Sequence, residues 1–103
     1  LFYNVYNFPN PFSEETYITF LLNQIPANVS IDIYSLSGNH ILSEEINNYN
    51  EEYFYFKWNS KDLYNDSIPA GVYIYHITAT ATLTGETLSE FSKAVKILDN
   101  NVD

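Results

Sequence analysis

A chain of 103 residues with ten tyrosines, seven phenylalanines and 46% hydrophobic content has material for one packed core and is too short for two. So many aromatic side chains exclude a disordered segment. Four lysines, no arginine and thirteen Asp and Glu give a net charge of -9, which excludes attraction to phosphate backbones or anionic lipid and removes nucleic acid from the expected partners.

Taken in chain order, the elements are strands. A short first strand is expected near Leu1–Val5. In TYITFLL (16–22), Ile18, Phe20 and Leu22 share one face; in VSIDI (29–33), Val29, Ile31 and Ile33 alternate with Ser30 and Asp32. NQIPAN connects them. YSLSGNHIL (34–42) sets Ser-Gly-Asn between apolar runs, a hairpin in which Gly38 and Asn39 can take positive φ. NNYNEE (47–52) reads as a mobile loop. EEYFYFKWN puts Phe54, Phe56 and Trp58 inward and Tyr53, Tyr55 and Lys57 outward, the densest expected part of the core, since each buried aromatic contributes about 1.5–3 kcal/mol. NSKDLYNDSIPAG (59–71) is a long connection. VYIYHITA (72–79) is apolar on both faces and suits a central strand covered on both sides, or one whose Tyr hydroxyls reach water. TLTGET turns the chain at Gly85, FSKAVKIL (91–98) returns as the last strand, and Asp99–Asp103 is expected to be a disordered tail. About seven strands at this spacing predict an all-β sandwich, a single domain over 1–103.

Without cysteine there is no disulfide or thiolate chemistry, no apolar run reaches the roughly 20 residues that span a bilayer, and no signal peptide opens the chain. The absence of methionine marks the chain as an expected piece of a longer protein. Within FPNPF (8–12), Pro9 and Pro11 lack amide hydrogens and push Phe8 and Asn10 toward extended geometry. The segment is expected to run stiffly along a sheet edge, blunting it, with Phe8 and Phe12 as anchors, and to set the angle at which an upstream domain joins.

Asp32, Ser37 and His40 can be drawn as a hydrolytic trio, but the spacing supplies neither an oriented base nor an oxyanion hole, and no catalytic residue is expected. His40 and His76 read as surface residues. There is no HxH, HExxH or cysteine set for zinc. Asn59, Asp62, Asn65 and Asp66 offer oxygens to Ca²⁺ without the spacing, central glycine or closing glutamate of a calcium loop, so neither a metal nor a cofactor is expected. A rival reading takes exposed Tyr49, Tyr53, Tyr55 and Tyr64 as stacking surfaces of a carbohydrate-binding or adhesion module appended to a secreted enzyme.

NFPNPF, VSIDIYSLSGNHI, FKWN, IPAGVYIYHI and FSKAVKIL, in this order from about Tyr6 to Leu98, resemble the C-terminal sorting domains of proteins exported by the type IX secretion system of Bacteroidetes, within a superfamily that includes flagellar hook-capping proteins. The long last hairpin with LTG at its tip is most similar to the form carried by the system's sortase, a cysteine peptidase. The resemblance implies an immunoglobulin-like export signal, non-enzymatic in itself, that travels through the periplasm to the cell surface. Its implied partners are an outer-membrane shuttle β-barrel, the translocon and the upstream domains of its own chain. It also implies recognition through Pro9, Asn10 and Pro11, the hairpin at Gly38, the segment Gly71, Tyr73, Tyr75, and Lys93 and Lys96. Basic residues common in this family at the SGN turn and after the VYIY run are here Asn39 and His76, and DSI around Ser67 is similar to an O-glycosylation acceptor of the same phylum.

Overall fold

The computed structural model describes residues 1–98, and the tail expected over Asp99–Asp103 lies outside them. Seven strands follow one another: β1 (Phe2–Phe8), β2 (Thr16–Leu22), β3 (Ala27–Ser35), β4 (His40–Tyr49), β5 (Tyr53–Trp58), β6 (Gly71–Ala81) and β7 (Thr87–Lys96). They form two antiparallel sheets, ordered β1-β2-β5 and β4-β3-β6-β7, and the described residues contain no helix. The fourth strand pairs with the third instead of joining the first sheet, one of the variants open to immunoglobulin-like sandwiches.

Alternation drives the packing. Ile18, Phe20 and Leu22 of β2, Phe54 and Trp58 of β5, and Val29, Ile31 and Ile33 of β3 point between the sheets, as their spacing predicts, joined by Tyr73, Tyr75 and Ile77 of β6. Phe20 stacks on Phe54 at 4.4 Å, and Trp58 packs against Phe12 at 5.4 Å and edge-on to Tyr73 at 5.7 Å. Two layers of apolar side chains facing each other are what the pattern requires.

Several boundaries differ from the sequence reading. β1 reaches Phe8 because a bulge at Asn4, whose φ is 58°, resets its phase, so that Phe2, Val5 and Asn7 face inward and Tyr3, Tyr6 and Phe8 outward. Phe8 is therefore 69% exposed and anchors nothing; Phe12 alone of the expected pair is buried. β4 continues through Tyr49, whose ring meets Phe54 edge-on at 4.8 Å and whose hydroxyl donates to the Tyr53 carbonyl at 2.7 Å, so only the Asn50–Glu52 stretch of the expected loop is a connection. β7 starts at Thr87, where hydroxyl pairs across the strands, Thr78 with Ser89 at 3.0 Å and Thr80 with Thr87 at 2.9 Å, replace apolar alternation. β6 is covered on one face only, and its alternate residues, including His76 stacked on Phe91, sit half-buried on an open face.

Candidate functional site

At one end of the sandwich lie the C-terminal ends of β1, β3, β5 and β7 and the start of β6, as the pairs Thr16 with Trp58, Ser35 with Tyr73 and Gly71 with Lys96 require. The FPNPF segment, the Gly38 turn and the long 59–70 connection all emerge there. Phe12 bridges to Lys96 and so ties the two sheets together at this end. Motif segments that are scattered in sequence thus converge on a single rim.

FPNPF does blunt an edge, though not as an extended strip. The Phe8–Pro9 and Asn10–Pro11 bonds are both cis, and the chain bends through Pro9, Asn10 and Pro11 before meeting β7. The Phe12 amide donates to the Val95 carbonyl at 2.9 Å, the Ile97 amide to the Phe12 carbonyl at 2.8 Å, and Asn10 Oδ1 accepts the Val95 amide at 2.9 Å. These bonds satisfy the open side of β7 where a further strand would add. Underneath, Asn7 Nδ2 donates to Thr16 Oγ1 (3.1 Å), Thr16 Oγ1 donates to the Pro9 carbonyl (2.7 Å), and Tyr75 donates to Asn7 Oδ1 (3.2 Å). This buried chain of bonds carries the position of the prolyl bend into the core. Asn7 and Thr16 escaped the sequence reading, and the available signal was a polar residue at an inward position of each strand.

Leu1 lies at the far end of β1, where its carbonyl accepts the Asn23 amide at 3.0 Å. The LTG tip is at that far end too, with the Thr82 hydroxyl bonded to the Pro26 carbonyl at 2.9 Å.

Of the recognition residues implied by the motifs, Pro9, Asn10, Pro11, Gly38, Gly71 and Lys93 are exposed, and Lys96 is half-buried, all at the loop end. Gly38, with φ of 93°, takes the left-handed position of the hairpin, and its amide donates to the Ser35 carbonyl at 2.9 Å; Asn39 does not share that conformation. Tyr73 and Tyr75 correct the sequence reading, being 4% and 1% exposed. Their hydroxyls are spent inside, on the Pro69 carbonyl at 2.6 Å and on Asn7, so neither offers a surface to a partner in the folded domain. Burial raises both phenols above the ordinary value of 10.0; at Tyr75 the Ser92 hydroxyl opposes the rise and the Glu90 carboxylate adds a smaller push upward.

The loop end also gathers the cations. Lys57 pairs with Glu15 at 3.6 Å, Lys61 Nζ donates to Ser67 Oγ at 2.9 Å, Lys96 Nζ donates to the Ile97 carbonyl at 3.0 Å, and Lys93 lies beside Asn10. A polar hollow of ≈ 370 Å³ opens among Ser13, Glu15, Ser60, Lys61, Ser67 and Lys96. Glu14, Glu15, Glu44 and Asp62 line the hollows of this end beside Lys57, Lys61 and Lys96, so the cations stand among carboxylates in a chain of net charge -9.

The other constellations dissolve. Ser37 Oγ bonds Ser35 Oγ at 3.0 Å, while Asp32 Oδ1 lies 3.4 Å from His40 Nε2 and accepts from Ser43 at 2.7 Å, so the drawn trio is not assembled. Asp62 Oδ1 accepts the amides of Tyr64 and Asp66 at 2.9 and 3.0 Å, which makes it the organiser of its own loop.

The sheets and their order define a two-layer immunoglobulin-like domain with a conserved-geometry analogue in known structures. It is similar to dimeric latent PorU from Porphyromonas gingivalis, at 24% identity and a TM-score of 0.76 over 92% of this chain and 9% of that one. It is also similar to FlgD from P. aeruginosa (18%, TM-score 0.59, 80% of this chain and 61% of that one) and to PorZ of the type-IX secretion system of P. gingivalis (18%, 0.53, 91% and 11%). At these identities the likeness is one of fold, and the chain spans about a tenth of PorU and of PorZ. No curated protein sequence matches it. The model of the secretion system C-terminal sorting domain matches residues 6–89, and the chain belongs to that family. The resemblance drawn from the ordered motifs holds.

Proposed function

We propose that this domain is the export signal of a type IX-secreted protein and is read at its loop end by an outer-membrane shuttle β-barrel during passage from periplasm to cell surface. The observation that supports this reading is the convergence of Pro9, Asn10, Pro11, Gly38, Gly71, Lys93 and Lys96 on one rim. The rim is held by backbone bonds and a buried polar chain, and it carries the molecule's cations. A rigid rim of exposed loop residues suits recognition without chemistry, and in this reading the domain itself is non-catalytic. The parent is the sortase-type cysteine peptidase: the long β6–β7 hairpin and the likeness to PorU favour this over ordinary cargo.

The test is binding of the 103-residue chain to the purified shuttle barrel. Lys93→Glu with Lys96→Glu is expected to weaken binding by about tenfold or more, roughly 1.4 kcal/mol, whereas Thr84→Ala at the opposite end leaves it unchanged. Absence of binding, or equal loss from Thr84→Ala, would contradict recognition at the loop end. A sortase-type parent further requires that the barrel-bound chain stay uncleaved when incubated with active sortase.

A further inference from the structure

β7 is the outer strand of its sheet, and only the half toward the loop end is covered. Val95 turns both backbone groups away from β6, its amide toward Asn10 Oδ1 and its carbonyl toward the Phe12 amide. In an antiparallel strand alternate residues do the same, so Lys93, Phe91, Ser89 and Thr87 also face the open side. The Lys93 carbonyl accepts from Asn10 Nδ2 at 3.5 Å, whereas among the described residues nothing bonds to the backbone of Thr87, Ser89 or Phe91 on that side. Three successive edge residues thus hold out N–H and C=O groups at the two-residue repeat of a strand. That spacing matches another extended polypeptide.

The covered half shows what such a strand changes. Where Asn10 and Phe12 lie against β7, the inward residue Ala94 is fully buried and Ser92 beside it half-buried. Past the cover, Glu90 and Leu88 are exposed, Leu88 to 37%, although they too hold inward positions, opposite the buried Ile77 and Ala79. Positions that face the interior are therefore wet. A strand added here would set its own inward side chains beside them, next to β1, the edge of the opposite layer with which β7 is in contact.

Glu90 selects the strand. It forms no ion pair among the described residues. A carboxylate at an inward edge position keeps like strands from pairing, and a net charge of -9 on each chain repels a second copy as a whole. The same carboxylate favours a strand that sets a cation opposite it. We propose that the open half of β7, Thr87–Phe91, receives an extended segment of another protein, paired antiparallel as the other strands of the sandwich are, with apolar residues alternating inward and a lysine or arginine opposite Glu90. The inference does not rest on the export reading, because this half of β7 runs away from the loop rim and its test involves no secretion component.

The test adds to the 103-residue chain an acetylated, amidated heptapeptide in which threonine alternates with valine and lysine takes the centre, Thr-Val-Thr-Lys-Thr-Val-Thr, and reads hydrogen exchange at single amides. Saturating peptide is expected to slow exchange at Thr87, Ser89 and Phe91 by about tenfold or more and to leave the Val29 amide, in the centre of its sheet, unchanged. The same peptide N-methylated at its threonines lacks the donors that face β7 and should protect none of them. Glu90→Lys should weaken the lysine peptide by about fivefold or more and accept a peptide with glutamate at the centre instead, while the milder Glu90→Gln weakens the lysine peptide less. No protection by the lysine peptide overturns the proposal, as does protection that N-methylation leaves in place or that is indifferent to the charge at residue 90. Concentration-dependent self-association of Glu90→Gln, without peptide binding by the native chain, assigns Glu90 to guarding the edge alone and overturns it equally.

Discussion

Asn7 faces the core from β1, and both ends of its amide are in use, one toward Thr16 and one toward Tyr75. A buried polar side chain is tolerable only while its partners are present. Asn7→Ala strands the Tyr75 hydroxyl and loosens Thr16, and it is expected to cost about 1–3 kcal/mol in chemical denaturation. Tyr75 adds a pH signature. Its folded phenol holds the proton to higher pH than the unfolded value of 10.0, chiefly through burial. Above that value the unfolded chain binds fewer protons than the folded one, so stability is fully present below pH 10.0 and falls as pH rises through the folded value. In alkaline denaturation Tyr75→Phe should be less stable at neutral pH and show a shallower decline; an unchanged slope would mean that the buried phenol is not linked to unfolding.

The strands differ in how openly the sequence declares them. β5 is legible because large aromatics occupy one parity and polar or exposed rings the other, so Phe54 and Trp58 could be placed inside from spacing alone. The first turns of β7 and the last residues of β4 were not, since Thr, Ser and Asn there carry no apolar period; hydroxyl pairs and cross-strand register hold them instead. The prolyl segment was legible as an edge device and misread in shape. Its shape follows the bonds of Asn10 and Phe12 to β7, long-range contacts that residue identity does not announce. Its function as an edge cover can be isolated. Asn10→Ala removes the acceptor for the Val95 amide and is expected to cost about 0.5–1.5 kcal/mol. In hydrogen exchange the Val95 amide should lose protection while the Val29 amide, in the centre of its sheet, changes only with global stability. Equal change at both amides would show that Asn10 does not act locally on β7.

The molecule as a whole has two unlike ends. One gathers the loops, the prolyl bend and every lysine; the other carries Leu1, the LTG tip and acidic turns. Seven strands and a two-layer core were readable from pattern, because period-two alternation is a local property. Which residues share a rim was not, because strand order and register bring the Gly38 turn and Gly71 to the same end as the close of β7, and Asn10 reaches β7 only through its side-chain bonds. The same holds for the outward row of Tyr6, Thr19 and Tyr55, which needs the bulge at Asn4 to bring Tyr6 into line with Thr19. In the proposed function the loop end is an address for export. Fusing residues 1–103 to a periplasm-directed reporter in a host with type IX secretion tests it most directly. The reporter should reach the cell surface with the native domain and stay in the periplasm when Lys93 and Lys96 are both changed to Glu; periplasmic retention of the native fusion, or export indifferent to those two charges, would contradict it.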